Sequence, residues 1–79
     1  MSKDSQDQKR FLEEQLEWSV EQGRILDKVN EKLHEMKQIA EYALAHNLSA
    51  GEKEKLNEQL YVLKDEVNVL ERQLRNVVH

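Results

Sequence analysis

The chain of 79 residues has no cysteine and no proline, and it has only two glycines and four aromatic residues. Without cysteine, neither a disulfide framework nor a cysteine-based zinc site can stabilise the fold. No apolar run approaches the length of a membrane span, and no secretory signal pattern precedes the chain. The chain is therefore predicted to be one small domain without disulfides, a cysteine-based zinc site or a membrane span. We expect it to lie in the cytoplasm.

Charged residues are abundant, at 35% of the chain, and the net charge is −4. No segment is basic, so a nucleic-acid-binding surface is not expected. Apolar residues recur singly at spaced intervals, which is typical of long helices and coiled coils. A chain this short buries only about 60% of its unfolded surface, so its stability is marginal without further contacts.

The second half of the chain carries the clearest pattern. Its apolar residues follow one another at gaps of four and three, which is the seam of a heptad repeat. These residues are Leu56, Leu60, Leu63, Val67, Leu70, Leu74 and Val77. A helix with so narrow an apolar stripe has to pack against another helix.

A matching seam is predicted in the first helix, which we place at residues 9–46 after a disordered segment at residues 1–8. The predicted seam consists of Leu26, Val29, Leu33, Met36, Ala40 and Ala43. Gly23 is the weakest point of this helix, because glycine costs roughly 1 kcal/mol relative to alanine. Asp4 or Ser5 is predicted to cap its start.

Turn signals separate the two helices. Asn47 is suited to the left-handed conformation that ends a helix, and Ser49 with Glu52 forms a capping box. The turn is therefore predicted at residues 47–49 and the second helix at residues 50–78. So short a turn makes the two helices antiparallel neighbours.

The first helix is longer than the second and is predicted to overhang it by about ten residues, or ~15 Å. Apolar residues on this overhang and outside the predicted seams indicate contact with another chain. The predicted interface is Phe11, Leu12, Leu16, Trp18, Val20, Ile25, Ile39, Val62 and Val69. The predicted fold is therefore all-α, a two-helix antiparallel coiled-coil hairpin that dimerises into a four-helix bundle. The alternative is that these are scattered surface residues.

The chemistry-bearing residues do not form a recognisable site. Glu31 and His34 have the Glu-x-x-His spacing of di-iron bundles, but the predicted seam turns both outward. No serine has a base at triad-like spacing, and the carboxylates alternate with lysine and arginine as on solvated helix faces. We therefore predict no catalytic, cofactor-binding or metal-binding residue, and no enzyme.

Residues 26–70 resemble the N-terminal helical hairpin of bacterial flagellins. The similarity lies in the sequence Met-Lys-Gln-Ile-Ala-Glu-Tyr-Ala at residues 36–43, in a polar turn with Ser49, and in Leu63, Glu66 and Val67. The match covers about half of the chain and does not include the terminal segments by which flagellins polymerise. The turn also lacks the Asn-Gly of many flagellins. The resemblance implies self-assembly or binding of a flagellin-type partner.

Together, these patterns predict a small non-enzymatic helical protein-binding or regulatory module, an adaptor or inhibitor that acts as a homo-oligomer. The expected partners are a second copy and another protein, without nucleic acid or membrane. The alternative is a structural or assembly protein of flagellin-like or phage type.

Overall fold

A computed structural model describes residues 3–76, with side chains described through Leu74. Helix α1 spans Lys3–Ala45 and helix α2 spans Ala50–Asn76. The two helices pack side by side in a rod of 71 × 18 × 11 Å, which confirms the predicted all-α hairpin. The predicted seam residue Val77 and the predicted helix end at residue 78 lie outside the described residues.

Helix α1 begins earlier than the sequence predicted. The structure has residues 3–8 in the helix, where a disordered segment was predicted, and the helix ends at Ala45. Asp4 and Ser5 therefore lie inside α1, and the predicted cap at either residue is wrong. Two features favour the early start: the segment has no glycine or proline, and Asp4 places a negative charge in the first turn, at the positive end of the helix dipole.

The start of α2 has the predicted capping box. The backbone N–H of Glu52 donates to Ser49 Oγ over 3.2 Å, and the Ser49 hydroxyl donates to Glu52 Oε1 over 3.0 Å. The N–H of Lys53 donates to the Ser49 carbonyl oxygen over 3.0 Å. Ser49 Oγ thus accepts from one of the N–H groups that a helix start leaves without an intrahelical partner, and the Ser49 carbonyl oxygen accepts the first hydrogen bond of the helix.

The end of α1 differs from the prediction, because Asn47 is not left-handed: no described non-glycine residue has a positive φ. His46 ends the helix instead. Its backbone N–H donates to the Tyr42 carbonyl oxygen over 3.1 Å, and its Nδ1 lies 2.9 Å from the same oxygen. The imidazole also stacks on the Tyr42 ring, with 4.0 Å between centroids. Leu48, in the turn itself, is buried.

The core lies between the helices and consists of few residues. Ile25, Val29 and Val67 are buried together, and the partly buried Met36, Leu70 and Leu74 pack against them. On α2 the predicted seam is confirmed over the described residues: Leu63 and Val67 are buried and its other members are partly buried.

The predicted seam of α1 is confirmed at Val29, which is buried, and at Met36, which is partly buried. Its other predicted members are exposed: Leu26, Leu33, Ala40 and Ala43. Ile25 is only 4% exposed, whereas Leu26 and Leu33 are 49% and 48% exposed. The observed seam is Gln22, Ile25, Val29, Lys32, Met36 and Ile39, at gaps of three and four. Lys32 occupies a core position because its aliphatic stem covers the seam while its ammonium group reaches Glu66 on α2, with 2.7 Å between Nζ and Oε2.

The Lys32–Glu66 pair also shows which residues of the two helices lie side by side. Counting outward from it in opposite directions places Asn76, the end of α2, level with about Gln22 of α1. Residues 3–21 of α1 therefore extend past the described part of α2, over roughly 28 Å at 1.5 Å per residue. We call residues 3–21 the overhang; it is longer than the predicted ten residues.

Candidate protein-interaction surface

The overhang exposes most of its large apolar side chains. Phe11, Leu12, Leu16 and Val20 are each between 54% and 66% exposed. Trp18 is partly buried. Shallow depressions follow the same segment, one beside Phe11 and Leu12 and another between Leu12 and Leu16. Contiguous exposed apolar residues on a small protein mark a surface that contacts another molecule.

The structure divides the predicted interface into three groups. The exposed residues are Phe11, Leu12, Leu16, Val20, Val62 and Val69. Trp18 and Ile39 are partly buried, and Ile25 is the most buried residue described. The interpretation of Ile25 and Ile39 as lying outside the seam of the first helix is therefore wrong. Both share the heptad position of Lys32, which faces α2, so they belong to the contact between the chain's own helices.

A second apolar stripe on α1 is exposed; two of its residues, Leu26 and Leu33, were predicted to lie in the seam, and the other two, Leu12 and Leu16, were predicted to lie in the interface. We call it the leucine stripe, and it consists of Leu12, Leu16, Leu26 and Leu33. Leu26 and Leu33 each follow a seam residue by one position, which rotates them about 100° around the helix. The stripe runs from the overhang onto the body of the hairpin. The signal for it was present in the sequence, since Leu12, Leu26 and Leu33 share one heptad position.

Val62 and Val69 lie on another side of the hairpin. They line a groove between the helices together with charged residues of α1 and α2. The full lining is Lys28, Lys32, Val62, Asp65, Glu66, Val69 and Leu70. Lys28 and Leu26 project to opposite sides of the α1 seam, so this groove and the leucine stripe are separate surfaces.

Of the three ion pairs among the described residues, the Lys32–Glu66 pair joins the two helices, and the other two lie within α1. The hydrogen bond from Lys32 to Glu66 raises the pKa of the Lys32 ammonium group, and the nearby carboxylates of Glu35 and Glu31 act in the same direction. Both partners remain partly exposed, so the pair has the modest strength of a surface salt bridge. It joins the two helices at one level.

The predicted outward orientation of Glu31 and His34 agrees with their exposure. Over residues 3–76, no group of three histidine, cysteine, aspartate or glutamate side chains converges as metal ligands would. No helix in the same range is long and apolar enough to cross a membrane.

Comparisons with known proteins found no family model, no curated protein and no solved structure that matches the chain. The resemblance of residues 26–70 to flagellin hairpins therefore stays a prediction.

Proposed function

We propose that the chain is a small non-enzymatic protein-binding module, an adaptor or inhibitor, that acts as a homo-oligomer in the cytoplasm. The observation that carries this proposal is the overhang, where an α-helix extends past its partner helix with Phe11 and Leu12 more than half exposed. Phe11 continues the seam that faces α2 farther along α1. A partner helix at this position would extend the coiled coil and supply the apolar cover that α2 no longer provides.

A pair of cross-linking variants tests where a partner binds. A photo-reactive amino acid replaces Phe11 in one variant and Leu44 in the other; Leu44 is 89% exposed but lies beside the turn. In the native host, the Phe11 variant should cross-link reproducibly to one protein other than this chain. The Leu44 variant should not. Equal cross-linking from both positions would contradict a binding site on the overhang.

The affinity of the chain for this partner is then measured with both proteins purified. Replacing Phe11 by serine should weaken binding at least tenfold, because it removes a large apolar contact, while the circular dichroism of the chain is unchanged. The matched control is Leu44→Ser, which should bind as the unmodified chain does. Unchanged affinity after Phe11→Ser would exclude the overhang as the binding surface.

The alternative, a structural or assembly protein, is favoured by one observation: the leucine stripe and the Val62–Val69 groove are separate apolar surfaces. Two surfaces that contact different copies can build open assemblies, whereas one self-complementary surface stops at a dimer. Sizing runs across a hundredfold dilution separate these cases. Growth beyond a dimer with rising concentration supports assembly, and a constant dimer supports the binding module.

A further inference from the structure

The leucine stripe has a symmetric order at its centre. Leu16, Ser19, Gly23 and Leu26 follow one another at gaps of three, four and three residues. The order of sizes is large, small, small, large, and it reads the same in both directions. Leu16 and Leu26 are 65% and 49% exposed, and Ser19 is exposed as well.

Gly23 has no role within the hairpin itself. A Cβ atom added there would meet nothing within 4 Å, and the residue has an ordinary helical φ. Glycine in a helix interior costs stability relative to alanine, so no internal contact explains its presence. Small residues on a helix face allow a second helix to approach closely, because the distance between packed helices depends on the side chains at the contact.

We propose that the leucine stripe binds a second copy of this chain, with the two α1 helices antiparallel and their crossing point between Ser19 and Gly23. Leu16 of each copy then packs on Leu26 of the other, and Ser19 on Gly23. A two-fold interface has to be complementary to itself, and the symmetric order of this segment meets that requirement. The inference rests on the homo-oligomer of the proposed function and names its surface.

Two neighbouring residues support this placement of the two-fold axis. Val20, 54% exposed, lies at one edge of the stripe, and the axis brings it close to its counterpart in the second copy. Gln22 lies at the other edge. The same axis brings it close to its counterpart in the second copy.

The antiparallel orientation follows from the overhang. In the antiparallel pair, the overhang of each copy lies along the part of the other copy where α1 and α2 are side by side. Leu12 and Leu16 then cover the surface around Leu26 and its neighbours. At least three helices then lie together along most of the contact between the two α1 helices. A parallel pair would leave the two overhangs with only each other, and a two-helix contact buries less apolar surface than a bundle does.

The glycines provide a matched test. Gly23→Ala places a methyl group at the crossing point, whereas Gly51→Ala places one in α2, where a Cβ also meets nothing within 4 Å. Both changes favour the helix, so the thermal midpoint of each dilute monomer should rise. Sedimentation equilibrium should show the dimer Kd raised at least tenfold by Gly23→Ala and within twofold of the original for Gly51→Ala. Equal Kd values for the two variants would overturn the proposed crossing point.

Cysteine cross-linking tests the orientation, and the absence of native cysteine keeps it unambiguous. In the antiparallel pair, Val20→Cys places two thiols within about one turn of each other. Leu12→Cys places them eighteen residues apart along the contact, or about 27 Å, far beyond the reach of a disulfide. Mild oxidation should link the Val20→Cys chains and leave the Leu12→Cys chains single. Linkage of both variants indicates a parallel pair and overturns the proposal.

Two further outcomes separate this inference from the proposed function. A dimer that forms without linkage at Val20→Cys uses another surface, which overturns the inference but keeps the homo-oligomer. A chain that is monomeric at every concentration overturns both, while the heterologous cross-links from Phe11 still decide whether the overhang binds another protein.

Discussion

Replacing Ile25 or Leu26 by alanine distinguishes the observed seam from the one that the sequence predicted. Each change removes three carbon groups, worth about 2.4 kcal/mol in transfer free energy at about 0.8 kcal/mol per group when fully buried. Ile25 is 4% exposed, so nearly the full amount applies, and the cavity left behind adds to it. Leu26 is 49% exposed, so about half applies, or about 1.2 kcal/mol.

Thermal unfolding followed by circular dichroism measures this difference. For a domain of this size, 1 kcal/mol corresponds to a shift of about 4–8 °C in the midpoint, so Ile25→Ala should lower it by about 10–20 °C and Leu26→Ala by about 5–10 °C. The protein concentration has to be low enough that self-association does not contribute. Should Ile25→Ala leave too little folded protein, Ile25→Val gives a milder change of about 1 kcal/mol. A larger loss from Leu26→Ala than from Ile25→Ala would show that the helix faces α2 in the predicted register instead.

Three further changes test other parts of the structure. Ser49→Ala removes the side-chain cap of α2 and should lower the free energy of unfolding by about 1 kcal/mol in urea denaturation; no change would mean that the two hydrogen bonds of Ser49 are not maintained in solution. The pKa of Lys32 is raised in the folded chain by Glu66, so its ion pair stabilises the fold at pH values below the unfolded pKa of 10.5 and loses this effect as pH rises through the folded value. A pH titration of stability from 9 to 12 should therefore show a steeper loss for the unmodified chain than for Lys32→Met, and parallel curves would contradict the pairing. Leu44→Ser changes a side chain that is 89% exposed, so the thermal midpoint should stay within about 2–4 °C, and a larger drop would indicate that this residue is covered in solution.

The parts of the fold that the sequence predicted correctly each depend on a single local pattern. On α2 the stripe of leucine and valine runs unbroken over the heptads, whereas Val62 and Val69 form only a short second stripe, so the seam had no equal competitor. At the turn, Ser49 and Glu52 have the spacing of a capping box, and the hydrogen bonds between them bear it out. In both cases the residue types and their spacing admit one structure.

The register of α1 was not predictable in the same way, because two overlapping stripes compete. Ile25 and Leu26 are adjacent and equally apolar, so periodicity alone allows either to face α2. Lys32 also weighs against the stripe that contains Ile25, since a charged side chain is rarely buried without a partner. Glu66 is that partner, but it lies 34 residues away in the sequence and becomes visible only when the helices are placed side by side.

The competition between stripes is itself informative about function. A helix that packs against one neighbour needs apolar residues at two heptad positions, and a helix in a bundle of three or more needs a third. Helix α1 has the third position occupied by Leu12, Leu26 and Leu33, although the hairpin covers only the first two. The ambiguity that misled the sequence-based register therefore has the same physical origin as the proposed dimer: α1 carries more apolar surface than α2 covers.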